Sequence, residues 1–288
     1  MKTKPLEKRK IDIAVISDAH LGTYGCRSKE LSQYLNSIEP GILILNGDII
    51  DIWQFNKKYW PVGHMQVIQQ ITSMLSKGVK VYYITGNHDE MLRRFENFSL
   101  GNFHIVNKLV IHHANKKTSW IFHGDVFDVI MQHSRWLAKL GAVGYDMLIY
   151  INAFINYCSK NIGKGKISLS KKIKNSVKGA VKHINNFEDT AANIAIDRGY
   201  DYVVCGHIHQ PCNRKITNCN GSVTYLNSGD WIENLTALEY TESEWNLYHY
   251  QQDDLMLQRK DSLHQAKETH LRTAEIFKIM MEDFVKPF

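Results

Sequence analysis

The chain has 288 residues, 44% hydrophobic and 22% charged, ordinary proportions for one large globular domain or a domain with an insertion. Five cysteines (Cys26, Cys158, Cys205, Cys212, Cys219), odd in number and without a C-x-x-C, exclude a disulfide scaffold and fit a reducing cytosol. Net charge is +6, but ten Lys/Arg against one acid, Asp146, between His133 and Phe187 make a local +9 and leave −3 elsewhere, which points to an anionic partner at one patch and not to nucleic acid.

Met1 to Lys10 is a basic tail. The apolar run behind it, Ile11 to Ile16, carries Asp12 and is too short for a signal segment; it reads as a first strand ending at Asp18-Ala19-His20. Glu30 to Ile38 has helical spacing (Leu31, Tyr34, Leu35, Ile38) and is expected to stop at Pro40-Gly41. A second strand over 42–46 leads to Gly47-Asp48, an amphipathic helix over Met65–Ser76 follows, and a third strand over 79–85 leads to Gly86-Asn87-His88-Asp89. This βαβαβ order predicts a parallel sheet. Phe103–Val106, Leu109–Ile111 and Trp120–Phe122 read as the antiparallel side of a second sheet, the last ending at His123. Residues 128–198 read as mostly helical, apolar and aromatic first, lysine-rich second. Tyr202–Cys205 is a buried strand ending at Gly206-His207-Ile208-His209; Ser222–Leu226 and Leu235–Tyr240 are strands, and a helical tail runs from Gln251 to the end. Leu137–Cys158, the longest apolar stretch, is broken by Lys139, Asp146, Asn152 and Asn156, short of the ~20 apolar residues of a membrane span.

In an open α/β sheet the crevice lies beyond the carboxyl ends of the strands, and here those ends carry Asp, His and Asn. Carboxylate, imidazole and carboxamide donors suit first-row divalent ions. Two such ions roughly 3.5–4 Å apart can clamp a phosphate and activate water for in-line attack. That needs about seven ligands, and the motifs supply Asp18, His20, Asp48, Asn87, His123, His207 and His209. Singly, a D-x-H or G-D after a strand is more often a turn or a cap; all five motifs in order are much harder to explain that way.

The order D-x-H, G-D-x-x-D, G-N-H-D, H-G and G-H-x-H resembles the calcineurin-like metallophosphoesterase superfamily over about residues 11–230. The resemblance implies a four-layer α/β/β/α sandwich with an inserted helical cap. It implies two divalent metal ions, manganese first, with iron, zinc or cobalt also compatible. Asp18, His20, Asp48 and His209 would hold the first. Asp48 would bridge to the second, completed by Asn87, His123 and His207. His88 would face the phosphate as general acid or charge stabiliser, with Asp51 on its other ring nitrogen; the plainer role for Asp51 is a helix N-cap. The expected organisation is a tail (1–10), a core in two parts (11–127 and 199–250), a cap (128–198) and a helical extension (251–288).

Within the cap, apolar residues such as Trp136, Leu140, Leu148 and Phe154 precede Lys171, Lys172, Lys174 and Lys178, a composition suited to an anionic membrane surface or an acidic lipid. Core packing and a solvated lysine face are the plainer alternatives. Here the chain resembles the bacterial UDP-2,3-diacylglucosamine pyrophosphatases of lipid A synthesis. Asn175-Ser-Val-Lys178 matches a substrate-contacting Asn-x-x-Lys pair of that group, and Asn227-Ser-Gly-Asp-Trp231 a glycine-plus-Trp element. The resemblance adds Asn87, His88, Asn175, Lys178, Lys171 and Trp231 as substrate contacts, an anionic nucleotide-glycolipid as substrate, and residence in the cytoplasm at the inner face of the inner membrane. The chain departs from the group at His88, where well-studied members carry Arg, and at Lys171, where they carry Ser and this chain has Ser170 one step off. The alternatives are a phosphodiesterase or phosphatase for a soluble nucleotide or phosphoprotein, and a non-catalytic scaffold on the same fold.

Overall fold

A strand buried on both faces needs apolar residues at nearly every position, and the runs that end in polar clusters meet that requirement. The structure, a computed structural model, describes residues 8–54, 60–127 and 187–253. In it β1 (Arg9–Ile16), α1 (Ser28–Ser37), β2 (Ile38–Asn46), α2 (Val62–Ser76) and β3 (Lys80–Ile84) form the expected βαβαβ run, with the three strands parallel. A 3₁₀ turn at Glu90–Phe95 precedes β4 (Ser99–Leu100) and β5 (Phe103–Val106); β6 (Lys108–His112) and β7 (Thr118–Phe122) follow. After a helix over 187–197 (α3) come β8 (Tyr202–Cys205), β9 (Cys212–Asn218), β10 (Gly221–Asn227), β11 (Thr236–Thr241) and β12 (Glu244–His249).

These strands build two sheets, ordered β12-β11-β1-β2-β3-β5-β4 and β6-β7-β8-β10-β9. Period-two alternation sorts their side chains into layers. Leu43, Leu45, Val81 and Tyr83 pack toward Leu31, Tyr34 and Leu35 of α1 and Val67 and Ile71 of α2. Ile13, Val15, Ile44 and Ile84 face Ile121, Val204 and Leu226 between the sheets. Val203, Cys205, Val223 and Tyr225 pack against Phe187, Ala191, Ala192 and Ala195 of α3. The fold class is thus a mixed α/β protein of two packed sheets with helices outside, consistent with the metallophosphoesterase sandwich.

Three expectations change. Helix α1 stops at Ser37, and β2 begins at Ile38, before Pro40-Gly41. Proline is tolerated because Pro40 pairs only with Ile11 of β1, while β3 joins from Ile42 onward; the edge that lacks an N–H has no neighbour there. Strand β5 pairs in parallel with β3 and belongs to the first sheet, not to the antiparallel side of the second. Its alternation marks a strand but carries no information about its neighbour. Strands β9 and β12 were not anticipated, though Asn220-Gly221 at the β9–β10 corner is a hairpin signal. The β11–β12 turn uses Glu242 (φ 53°) and Ser243 (φ 70°), residues that seldom announce a turn with positive φ at both centres. Of the expected cap, only 187–198 is described, and it includes α3; Lys171, Asn175 and Lys178 lie outside the described residues, as does the helical tail beyond 253.

Candidate metal centre

β1, β2, β3, β7 and β8 all end at one margin of the sandwich, and each is followed by a polar motif. Backbone bonds then lock motif to motif. The N–H of Asp18 donates to the Gly47 carbonyl at 3.0 Å, that of His20 to Asp48 at 2.9 Å, and that of Gly206 to His123 at 3.0 Å. Gly47 (φ 80°) and Gly86 sit so close to His123 that a Cβ on either would collide with its ring, and a Cβ on Gly86 would also strike the Asp48 carboxylate. Both positions therefore need glycine.

Asp18, His20 and His209 offer ligand atoms within 4.8 Å of one another, and so do Asp48, His123 and His207. Each trio is part of one of the two four-residue ligand sets expected from the sequence. Asp18 Oδ1 lies 3.1 Å from His209 Nε2, and Asp48 Oδ2 lies 3.3 Å from His123 Nε2 and 4.0 Å from His20 Nε2. A third trio, His20, Asp48 and His88, joins the two groups. Five of these residues are in left-handed backbone conformations: Asp18 (φ 51°), His20 (47°), Asp48 (53°), His207 (66°) and His209 (53°). Asp, Asn and His tolerate that region better than most side chains, at a cost of about 1 kcal/mol or more each. In both D-x-H and H-x-H the alternate residues adopt it, which a sequence pattern does not display.

Outer partners fix the rings. The Nδ1 of His123 is 2.8 Å from the Asn46 carbonyl, so it is the donating nitrogen and Nε2 is left facing Asp48. Asp51 Oδ2 lies 3.2 Å from Nδ1 of His20 and 2.9 Å from Nδ1 of His88, while its Oδ1 accepts the Gln54 N–H at 2.9 Å. Asp51 is therefore both the carboxylate behind two histidines and the cap of a turn. The His88 N–H donates to Asp48 Oδ1 at 2.8 Å, and the Trp53 ring packs on the His88 ring at a 35° tilt with centroids 4.4 Å apart. Asp89, fully buried, accepts from Gly86 N–H (2.6 Å), Ile49 N–H (3.0 Å) and the Tyr83 hydroxyl (2.6 Å), holding the β2 and β3 loops together. An ion pair between Arg93 and Asp125 ties the β3 loop to the β7 loop. Trp53 and Arg93 carried no sequence signal; Asp89 and Asp125 were visible as the last residues of the motifs that begin at Gly86 and His123.

The buried carboxylates stay ionised by drawing positive charge toward them, as a cation site does. Burial opposes ionisation of Asp18, yet His209 and His123 outweigh it and hold the carboxyl below its usual range. Burial likewise opposes ionisation of Asp48, and His123 and His20 hold it far below the carboxylate range. Burial works against protonating His209, but Asp18 and then Asp230 outweigh it and raise the ring to about 9. Burial also disfavours the charged form of His88, while its bond to Asp51 and the field of Asp48 raise its pKa. Four buried ligand atoms lack a well-formed hydrogen bond: His20 Nε2 and Asn87 Oδ1, and also Asp18 Oδ1 and His123 Nε2, which face their ion-pair partners His209 and Asp48. Other buried atoms in the molecule also lack a hydrogen bond, but these four are ligand-type atoms gathered at one margin, and they fit divalent cations that would satisfy them.

Trp231, expected to touch substrate, does not reach the site: its side chain is 0% exposed and packs on Tyr34 at 5.2 Å between centroids. A glycine-plus-aromatic element after the last motif looks the same from the sequence whether its ring faces the crevice or the core. Only the Trp231 backbone serves the centre, its N–H donating to the Asp18 carbonyl at 3.1 Å.

A two-sheet α/β sandwich with paired carboxylate–imidazole clusters at its strand ends is the architecture of metal-dependent phosphoesterases. The calcineurin-like phosphoesterase family model matches residues 11–211, and the chain belongs to that family. It is 22% identical over 207 residues to the UDP-2,3-diacylglucosamine hydrolase of Aliivibrio fischeri (strain MJ11), covering 72% of this chain and 83% of the relative. It is also 22% identical over 250 residues to the enzyme of the same name from Blochmanniella pennsylvanica (strain BPEN), covering 81% and 93%. A phosphoesterase from E. coli aligns over 83% of this chain and 92% of its own at 12% identity and a TM-score of 0.41, too loose a likeness to compare sites. The protein is thus a metal-dependent phosphoesterase.

Proposed function

We propose that the protein cleaves the pyrophosphate of UDP-2,3-diacylglucosamine, giving UMP and 2,3-diacylglucosamine 1-phosphate. The single observation that supports a cation centre for this chemistry is the convergence of four buried ligand atoms from both sheets, on Asp18, His20, Asn87 and His123, that lack a well-formed hydrogen bond. The substrate reading is supported by the names of the two relatives and by the Asn175–Lys178 pair. Asp18, His20, Asp48 and His209 would hold one divalent cation, and Asp48, Asn87, His123 and His207 the other. Bound there, the cations would supply Lewis acidity to phosphoryl oxygens and lower the pKa of water.

The chain's own residues do the rest. Asp51 holds His88 Nδ1, so Nε2 is the atom presented outward. The raised pKa of His88 favours the imidazolium, which can neutralise charge on a phosphoryl oxygen or hand its Nε2 proton to the leaving oxygen. The Trp53 ring packs beside that imidazole at a tilt, with centroids 4.4 Å apart. Helix α3 packs on the second sheet, so in this reading it is the basic and apolar stretch before it, 128–186, that takes the acyl chains and rests on the membrane; among the described residues no helix is long and apolar enough to cross one.

His88→Ala is expected to lower kcat by about 10²–10⁴-fold with metal content unchanged, as for loss of a positioned acid. The decisive comparison is kcat/KM on UDP-2,3-diacylglucosamine in mixed micelles against a soluble nucleotide phosphodiester. Preference for the glycolipid supports the reading. Equal or better turnover of the soluble ester sinks it in favour of a soluble-nucleotide phosphodiesterase, which the histidine at position 88 favours.

A further inference from the structure

The segment from Asn227 to Thr236 carries none of the five motifs, yet it touches the loops of both sheets that bear ligands. The side chain of Ser228 lies 2.7 Å from Ser17 Oγ on the β1 side, and its N–H donates to the Cys205 carbonyl at 3.0 Å on the β8 side. Asn227 Nδ2 donates to the Gly206 carbonyl at 2.8 Å. Trp231 N–H reaches the Asp18 carbonyl at 3.1 Å, and Asn234 Nδ2 the His209 carbonyl at 2.8 Å. The segment therefore grips the backbone of Asp18 and of His209 at once.

At its centre is Asp230, 1% exposed. Its two oxygens do different work. Oδ1 accepts three backbone N–H groups, from Ile232 (2.8 Å), Glu233 (2.6 Å) and Asn234 (3.2 Å), and so caps the turn. Oδ2 accepts the Asn234 side-chain amide and faces His209 Nδ1 at 3.8 Å. That separation is longer than a hydrogen bond, but it is within ion-pair range of a nearly dry carboxylate. The pattern repeats around the centre. Nδ1 of His20 has Asp51, Nδ1 of His123 has the Asn46 carbonyl, and Nδ1 of His209 has Asp230. In each case the partner on Nδ1 leaves Nε2 turned toward a carboxylate of the site. An acceptor on the far nitrogen selects the tautomer, orients the ring and raises its basicity.

We propose that Asp230 is a positioning residue for the Asp18–His20–His209 half of the centre, with Asn234 as its link to the His209 backbone. Its carboxylate stands on the Nδ1 side of His209 and so leaves Nε2 aimed at Asp18 Oδ1, while the turn it caps delivers the Trp231 N–H to the Asp18 carbonyl. The bonds of Asp230 and Asn234 described above fall on the Asp18 and His209 side and not on Asp48, Asn87 or His123. This rests on the reading of the seven ligand residues as a two-cation centre.

Asp230→Asn separates the two oxygens. Its amide oxygen can still cap the turn, but an uncharged NH₂ would face His209 Nδ1 and Asn234 Nδ2. Chelator-stripped full-length protein is titrated with Co²⁺, counting equivalents and following the visible absorption band, with melting of the metal-free protein as control. Wild type is expected to take up two equivalents. The Asn variant is expected to melt with the wild type and to bind one equivalent normally and the other about 10–100-fold more weakly, with a changed band for that equivalent only. His209→Gln should weaken the same equivalent. Unchanged affinity for both equivalents, equal weakening of both, or early melting of the metal-free Asn variant would each overturn the assignment of Asp230. A wild-type protein that takes up fewer than two equivalents would instead overturn the two-cation reading itself.

Discussion

Asp48→Asn is expected to lower kcat/KM on any phosphoester substrate by at least about 10³-fold, roughly 4 kcal/mol of transition-state stabilisation. Asp48 is 2% exposed and is the residue shared between the second ligand trio and the trio that joins the two halves. Its Oδ2 faces the ring nitrogens of His20 and His123, and its Oδ1 accepts the His88 N–H. Asparagine keeps the volume and the acceptor for His88 but removes the charge that would join two cations. Near neutral pH the metal-free variant should melt earlier than the metal-free wild type, because the attraction that, against burial, holds the Asp48 carboxyl below its usual range, from His123 and His20, is lost with the charge. The rise in melting temperature on adding Mn²⁺ should shrink, since ligand stabilisation follows affinity for the native state. Full activity in this variant would remove Asp48 from the centre and with it the proposed ligand scheme.

Trp231→Ala carries the largest expected loss of stability, about 3–5 kcal/mol by urea denaturation. The ring is fully buried against Tyr34 and within 6.4 Å of Tyr250 between centroids, and truncating it opens a large cavity under α1. The indole Nε1 has no hydrogen-bond partner, so Trp231→Phe gives up no hydrogen bond and should cost clearly less. A residue that gripped substrate would behave in the opposite way, with KM rising and the urea midpoint unmoved. That outcome would return Trp231 to the substrate site.

The parts of this protein that could be read from its sequence are those where two periodicities meet a polar stop. Ile42–Asn46 before Gly47-Asp48 and Tyr202–Cys205 before Gly206-His207 each show a buried parallel strand followed by residues that cannot stay in one, so both strand and site margin were visible. Helix α2 was visible in Val67, Ile71 and the Lys77-Gly78 stop. The rest failed for specific reasons. Phe103–Val106 announces a strand but not its partner, because pairing is decided by a connection that carries no periodicity. The turn at Glu242-Ser243 has no glycine, so β12 gave no warning. Trp231 belongs to a Gly-Asp-Trp run whose two faces only the folded chain tells apart. Asp230 was missed because a capping carboxylate and an imidazole partner look alike in a sequence. The left-handed backbone at Asp18, His20, Asp48, His207 and His209 is encoded only in what the surrounding chain forces on residues that can bear it.

The ligand atoms come from loops of two different sheets and span the chain from residue 18 to residue 209. The centre therefore exists only once both sheets are formed and docked, after the long-range pairing that dominates the folding barrier. A cation has nothing complete to bind in the transition state, so its effect falls on the return path. Added Mn²⁺ is expected to slow unfolding in proportion to the stability it confers and to leave the refolding rate nearly unchanged, a split that stopped-flow measurements at several denaturant concentrations would read directly. Acceleration of refolding by the metal would place part of the centre earlier on the pathway. In kinetic terms the centre acts as a late fastener, and the lifetime of the folded protein is then set by how much metal surrounds it.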